Sequence, residues 1–398
     1  MNLATIFSCV AHKTIASVDI PDRNSNQHEI NGVAALKEMF GTGQTTRGSI
    51  RWHYFSDDRE PEHTVAEFTF YDARARGSQR TGRSEWRFYY YGDFLRRVRQ
   101  GDLLVITRGR DLSIDAFLIQ KDSGWERAVR RLFRLEQNSS SFRALSRDVL
   151  AQDELGFLER RVLEEIGLAD DLVALPSDED LVLREFGERF PGTKEMSAFA
   201  RKHVDLADAG PDDLIGSWIS REEQFFKALE NVIVGKRLEQ GFNSTEDFIK
   251  YSLSVQNRRK SRMGYALQNH LEEIFRIHHL QFCPQAKTER NNTPDFIFPG
   301  EAEYHDPEYD QSLLVMLGCK STSKDRWRQV LTEADRIKQK HLFTLEAGIS
   351  AAQTKEMMKK DLRLVIPSML HCTYKPEQLH EIESLGDFIS HVSRKQAA

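Results

Sequence analysis

Between Ser49 and Gln120 the apolar residues come in short alternating runs, SIRWHYFS, TVAEFTFYDA, EWRFYYY, DLLVITRG and SIDAFLIQ, separated by Gly, Asp and Ser. Apolar residues at every second position predict strands half-buried on one face, and short strands at this spacing predict a small barrel or sandwich. From Gly124 to Glu188 the period changes. WERAVRRLFRL and LGFLERRVLEEIGLADDLVAL carry apolar residues three and four apart, which predicts helices. Two further helical stretches follow, EEQFFKALENVIVGKRL and TEDFIKYSLSVQNRRKSRMGYALQNHLEEIFRIHHL. Then TPDFIFP, SLLVMLGCK, KDRWRQVLTEADRIKQK, HLFTLE, a helix near 351–360 and LRLVIPS alternate strand with helix. That alternation predicts an α/β core whose sheet is covered on both faces.

A chain of 398 residues is longer than one core usually fills. The pattern divides it into a mostly β part over 1–140, a helical acidic connector over 141–180 and an α/β part over 181–398. Hydrophobic residues at 39% and charged residues at 29% suit a globular protein. No apolar run approaches the roughly 18 residues of a membrane span, and the start lacks the basic stretch of a secretory signal, so a cytoplasmic location is expected. Cys9, Cys283, Cys319 and Cys372 are scattered with no Cys-x-x-Cys pair, which argues against a zinc site or a disulfide framework. Net charge is −5, but its distribution is uneven. Residues 74–134 hold 15 Lys/Arg against 7 Asp/Glu, and residues 151–190 hold 12 Asp/Glu against 4 Lys/Arg. A basic block followed by an acidic one reads as a binding surface followed by a connector or an internal competitor for it.

The candidate chemistry lies in the α/β part. Pro294 and Asp295 head one apolar strand, Lys320 ends the next 25 positions later, and Glu333 follows 13 residues on, in a predicted helix. Two carboxylates and a lysine are sufficient for phosphodiester hydrolysis: carboxylate oxygens hold Mg²⁺, and an ammonium beside them orients water and offsets charge on the phosphate. Spacing alone equally fits a turn at Pro294-Asp295 and a solvated helix face at Glu333. The position two residues before the lysine, where an acid is usual, holds Gly318. His270, His278 and His279 lack accompanying cysteines or a His-Glu-x-x-His arrangement and read as packed or surface histidines.

The segments NRRKSRMGYALQNHLEEIF, PDFIFP, YHDPEY, KSTSKDRWRQVLTEAD and HLFTLEAGIS resemble the catalytic domain of EcoRII-type restriction endonucleases over roughly 186–391. The resemblance implies an α/β restriction-endonuclease-like (PD-(D/E)XK) fold in the branch whose second acid has moved from the strand to the helix after the lysine. It gives Asp295, Lys320 and Glu333 the catalytic roles, with Mg²⁺ as cofactor. Where that family carries a glutamate on the earlier helix this chain has Gln268, so the auxiliary metal carboxylate falls to Glu272 or is absent. Tyr304 reads as a packing or backbone-contacting residue rather than a covalent nucleophile.

In the same family a Lys-Asp-Arg trio reads CC and GG steps, and here it corresponds to Lys324, Asp325 and Arg326. Arginine can pair with guanine O6 and N7, and aspartate with cytosine N4. The implied target is a short near-palindrome of CCWGG or CCNGG type on double-stranded DNA, read by a homodimer. Arg258, Arg259, Lys260 and Arg262 are the candidate backbone contacts. In the N-terminal half Trp52, Trp86, Tyr89, Tyr90 and Tyr91 interleave with Arg74, Arg76, Arg80, Arg83 and Arg87. The arginines, with Trp86, are candidate DNA contacts, and EWRFYYYGDFLRRVRQGDLLVITRG resembles the DNA-binding pseudobarrel that precedes the nuclease in EcoRII-type enzymes. A cognate methyltransferase or a defence-system partner would accompany such an enzyme. Two alternatives stay open on sequence: a nuclease subunit activated by a partner or by DNA modification, and a catalytically inactive DNA-binding regulator.

Overall fold

The alternating segments form strands where the pattern places them. The structure, a computed structural model, describes the chain apart from residues 1–2, 21–28, 31–32, 43, 58, 75–83, 92–96, 136–138, 146–148, 151–158, 160–161, 164–175, 205–208 and 321–326. It divides between Leu172 and Val173 into two compact units. Most of the expected 141–180 connector lies outside the described residues.

The first unit is one mostly β, pseudobarrel-like module. Its strands are β1 (Phe7–Thr14), β2 (Glu29–Ile30), β3 (Thr46–Ser56), β4 (Arg59–Asp72), β5 (Trp86–Tyr90), β6 (Leu103–Gly109), β7 (Ile114–Ile119) and β8 (Arg143–Ala144). They form a single sheet in the order β2-β5-β4-β3-β7-β6-β1-β8, antiparallel except where β3 meets β7. Side-chain alternation settles which aromatics are core. Ile50, Trp52, Phe68, Phe70, Phe88 and Tyr90 are buried together on one face of β3, β4 and β5. Each such burial contributes about 1.5–3 kcal/mol. The register Arg47↔Thr69↔Tyr89 lies one residue out of step and belongs to the other face. Helix α1 (Gly124–Leu132) starts where Ser123 accepts the N–H of Glu126 and buries Trp125, Ala128, Val129 and Leu132. The period-two pattern does not find β1, because its Lys13 and His12 are buried polar residues. Lys13 Nζ pairs with Asp19 Oδ2 at 2.8 Å inside the unit.

In the second unit α2 (Pro176–Phe186), α3 (Thr193–Lys202), α4 (Pro211–Gln240) and α5 (Thr245–Ile277) precede a six-stranded sheet. The sheet comprises β9 (Cys283–Pro284), β10 (Phe296–Phe298), β11 (Val315–Lys320), β12 (Lys340–Thr344), β13 (Leu362–Val365) and β14 (Ile382–Glu383), in the order β14-β13-β12-β11-β10-β9. β9, β10 and β11 pair antiparallel, and β11 through β14 pair parallel. The intervening helices are α6 (Glu301–His305), α7 (Trp327–Val330) and α8 (Ala351–Lys359), and α9 (Leu385–Gln396) closes the chain. Phe275 of α5 packs against Phe296 and Phe298 of β10, with ring centroids 5.1 and 5.2 Å apart, and Phe388 of α9 sits 5.7 Å from Phe298.

KDRWRQVLTEADRIKQK is not the single helix its period suggests. Only Trp327–Val330 is helical within the described residues, and 331–339 run as turns with Ala334 at φ 51°. Trp327, Val330, Ala334 and Ile337 are buried at three- and four-residue spacing, so the stripe is real but its backbone is held by tertiary bonds. Lys340 Nζ donates to the carbonyls of Ala334 and Ile337 at 3.0 and 2.8 Å, and Glu289 accepts the N–H of Asp335.

The cluster Arg258, Arg259, Lys260 and Arg262 also divides. Arg262 is buried, stacked 4.3 Å above the Phe226 ring with a guanidinium nitrogen 3.5 Å from Glu222. It is therefore an interior ion-pair member, not a phosphate contact. Glu222 is fully buried, and His270 Nε2 lies 2.9 Å from it while Arg201 lies 3.3 Å from His270 Nδ1. Burial, assisted by the neighbouring arginines, holds the His270 pKa below its ordinary value. Arg258 stacks 4.0 Å from the Phe190 ring, and Arg259 pairs with Glu230 at 2.7 Å. Lys260 is exposed. Arg262→Ala is expected to strand the Glu222 carboxylate and destabilise the unit by about 3 kcal/mol or more. Lys260→Ala should stay within about 0.5 kcal/mol of wild type. Urea unfolding of the two variants checks this, and equal midpoints would refute the assignment.

Candidate active site

Asp295 stands just before β10, where antiparallel pairing with β11 sets it against the end of the neighbouring strand. Its Oδ2 accepts the backbone N–H of Cys319 at 2.6 Å, and Lys320 Nζ lies 3.7 Å from the same oxygen. The other oxygen, Oδ1, accepts from the Gln268 amide on α5. Asp295 is 9% exposed, while the Lys320 side chain is 24% exposed. Burial raises the pKa of Asp295 above its ordinary value, against the lowering effects of Lys320, the Cys319 N–H and Gln268.

Glu333 arrives from the turn after α7. Burial raises its pKa, the charges of Lys320 and Lys340 lower it and Asp295 raises it, so both other members of the predicted trio act on it directly. Its Oε2 is buried and has no hydrogen-bond partner among the described residues. The acid is here rather than on β11 for a packing reason. A Cβ at Gly318 would lie 3.0 and 3.1 Å from the two methyls of Val330, so no strand acid fits at that position without displacing α7. The expected migration of the second acid is thus coupled to a close helix–strand approach. The segment that carries it is a turn, however, and not a helix.

That turn is clamped. Tyr304, 1% exposed, donates to both oxygens of Glu289 at 2.8 and 2.6 Å, and Glu289 accepts the N–H of Asp335. Arg336 donates to the carbonyls of Asp306 and Tyr309 at 2.8 and 3.1 Å. Burial and the adjacent Glu289 push the Tyr304 phenol well above its ordinary pKa. This tyrosine fixes the Glu333 turn; it is not poised as a nucleophile.

The remaining predicted residues distribute unevenly. Glu272 is held by Arg276 and lies 3.9 Å from Lys194, so Gln268 and not Glu272 contacts Asp295. Among the described residues no three Asp, Glu, His or Cys side chains converge as a ligand set; Asp295 pairs with Lys320, whose charge also acts on Glu333. Lys324, Asp325 and Arg326, with the Ser323 cap, lie outside the described residues, as do Arg76, Arg80 and Arg83. Arg74 pairs with Glu85 at 2.8 Å, Arg87 with Glu29 and Glu85 at 2.9 and 2.8 Å, and Trp86 stacks 4.8 Å from Phe70. His270 is packed inside, whereas His278 and His279 are exposed. Sequence reading named Gln268 only as a departure. The Cys319 N–H, the Val330 contact and the Lys340 and Glu289 clamps have no signature in the residue order.

All four cysteines are free, and no helix among the described residues is long and apolar enough to cross a membrane.

The C-terminal unit is similar in sequence to known proteins. Residues 226–389 match the family model for the EcoRII C terminal. The type II restriction enzyme EcoRII of Escherichia coli is 43% identical over 206 residues, covering 52% of this chain and 51% of that one. This chain thus spans about half the length of that curated relative. Two solved structures are also similar at lower identity. One is metal-depleted Ecl18kI in complex with uncleaved, modified DNA, at 16% identity and TM-score 0.46, covering 55% of this chain and 84% of that one. The other is the PspGI restriction endonuclease with substrate DNA, at 14% identity and TM-score 0.41, covering 57% and 94%. Over residues 226–389, therefore, this chain is similar in sequence to the C-terminal domain of EcoRII.

Proposed function

We propose that the protein is a Mg²⁺-dependent, type II site-specific endonuclease that hydrolyses phosphodiester bonds of double-stranded DNA as a homodimer at a near-palindrome with CC and GG arms. The meeting of Asp295, Lys320 and Glu333 carries the reading. An inactive DNA-binding regulator has no use for a buried and a part-buried carboxylate that both interact with a partly exposed lysine.

The donor set suits a hard cation. Asp295 and Glu333 offer only carboxylate oxygens, and the partnerless, buried Glu333 Oε2 is the kind of atom that a bound ion would satisfy. A bound Mg²⁺ would supply Lewis acidity at the phosphate and a lowered pKa for its water. The chain's own residues do the rest. Gln268 and the Cys319 N–H fix the Asp295 carboxylate, and Lys320 can orient the attacking water and offset charge on the phosphate. Lys324, Asp325 and Arg326 are assigned to base reading, exposed Lys260 and half-exposed Arg259 to the backbone, and a methyltransferase of matching specificity to host protection.

Unmethylated plasmid carrying CCWGG and CCNGG sites should be cut at discrete CC/GG positions in the presence of Mg²⁺. Asp295→Ala and Lys320→Ala should each lower the rate by at least about a hundredfold. Intact plasmid under all divalent-metal conditions would overturn the reading of an enzyme that acts unaided.

The raised pKa values give a separate test of the metal site. A carboxylate whose folded pKa lies above its unfolded value contributes stability below the unfolded pKa, and that contribution is lost as pH rises through the folded pKa. Wild type should therefore lose thermal stability relative to the double variant Asp295→Asn/Glu333→Gln as pH rises through the carboxylate range. At neutral pH, Mg²⁺ at about a hundred times its Kd should return up to about 2.7 kcal/mol to wild type and nothing to the variant. Equal Mg²⁺ shifts in both proteins would place the cation elsewhere.

A further inference from the structure

The solvent face of β3, β4 and β5 holds a pocket of about 370 Å³ that the nuclease chemistry leaves unused. Its size lies at the lower end of the range for small-ligand sites, roughly 300–1,000 Å³. Thr69 sits between Arg47 and Tyr89 in the strand register, and Tyr71, Asp72 and Tyr91 complete the principal lining. The Tyr89 and Tyr91 rings stand 5.0 Å apart at 70°, and Tyr91 is 48% exposed.

Charge use on this face narrows the ligand. Arg51 is clamped on Asp115 by two bonds of 2.8 Å, Arg74 on Glu85, and Arg87 on Glu29 and Glu85. Exposed Arg47, by contrast, makes no ion pair among the described residues. Asp72 Oδ1 takes the backbone N–H groups of Arg74 and Glu85, which fixes its carboxylate at the pocket wall and leaves Oδ2 to accept from a ligand donor. The Thr69 hydroxyl adds a second hydrogen-bonding group. The site therefore offers aromatic surface, one guanidinium, a carboxylate acceptor and a hydroxyl in a volume suited to one nucleotide. A planar base with amino or imide donors, joined through its sugar to one phosphate, uses all four.

We propose that this pocket takes a single unstacked deoxynucleotide of a DNA strand, with the base against Tyr89 and Tyr91 and its phosphate on Arg47. The inference rests on the DNA-acting reading above and adds to it a base-sized site in the N-terminal unit, separate from the catalytic centre.

The test is binding of full-length protein, in EDTA, to a fluorescein-labelled single-stranded oligothymidine and to an abasic strand of the same length. Wild type should bind the oligothymidine at least about tenfold more tightly than the abasic strand, the scale of losing a base–aromatic stack. Arg47→Ala and Tyr91→Ala should each weaken oligothymidine binding by about tenfold. Tyr91→Phe, which keeps the ring, should restore it. Both residues are exposed, so circular dichroism melts should match wild type; if Tyr91→Ala melts early, Arg47→Ala and Tyr91→Phe carry the comparison. Equal binding of the two strands by wild type, or undiminished oligothymidine binding by Arg47→Ala, would overturn the proposal. Plasmid cleavage by wild type is read separately and bears only on the nuclease assignment, so the two readings can fail independently.

Discussion

The Asp295 carboxylate is the point on which the C-terminal unit turns. One oxygen takes the N–H of Cys319 on β11, and the other takes the amide of Gln268 on α5. A carboxylate taken out of water is costly unless its lone pairs are satisfied, and here two separate elements satisfy them. The same bonds that make the buried acid tolerable also set the distance between β10, β11 and α5. Lys320 then follows from the strand geometry: it is the next residue after Cys319 and ends β11 with its ammonium 3.7 Å from the acid.

Glu333 is held by different means. Gly318 lets Val330 come within ordinary reach of the strand backbone, and this close approach fixes where the chain leaves α7. Lys340, Glu289, Tyr304 and Arg336 then hold the following turns through backbone carbonyls and N–H groups. The position of Glu333 therefore depends on tertiary hydrogen bonds more than on helical ones. Burial raises its pKa, and its Oε2 has no hydrogen-bond partner among the described residues.

Arginine is used in two ways across the molecule, and residue identity does not distinguish them. Arg262, Arg51 and Arg87 are each committed to carboxylates of their own unit, whereas Arg47 and Lys260 face solvent. A basic run in sequence therefore overstates the cationic surface offered to DNA.

The sequence by itself determined the alternation that makes both sheets, the trio Asp295, Lys320 and Glu333, and the EcoRII-like character of the C-terminal half. The alternation was legible because strand periodicity is local, and the trio because the resemblance to EcoRII-type catalytic domains picked it out where spacing alone left it open. It did not reveal that β1 is buried despite Lys13 and His12, that the stripe from Trp327 to Ile337 is mostly turns, or that Arg262 is interior. In each of these cases a partner distant in sequence or on another element decides the outcome: Asp19 for Lys13, Lys340 and Glu289 for the turns, Glu222 and Phe226 for Arg262. Periodicity reports which positions face inward, but only tertiary structure says which backbone carries them there and which charge meets which, because those energies belong to pairs of residues and not to either residue alone.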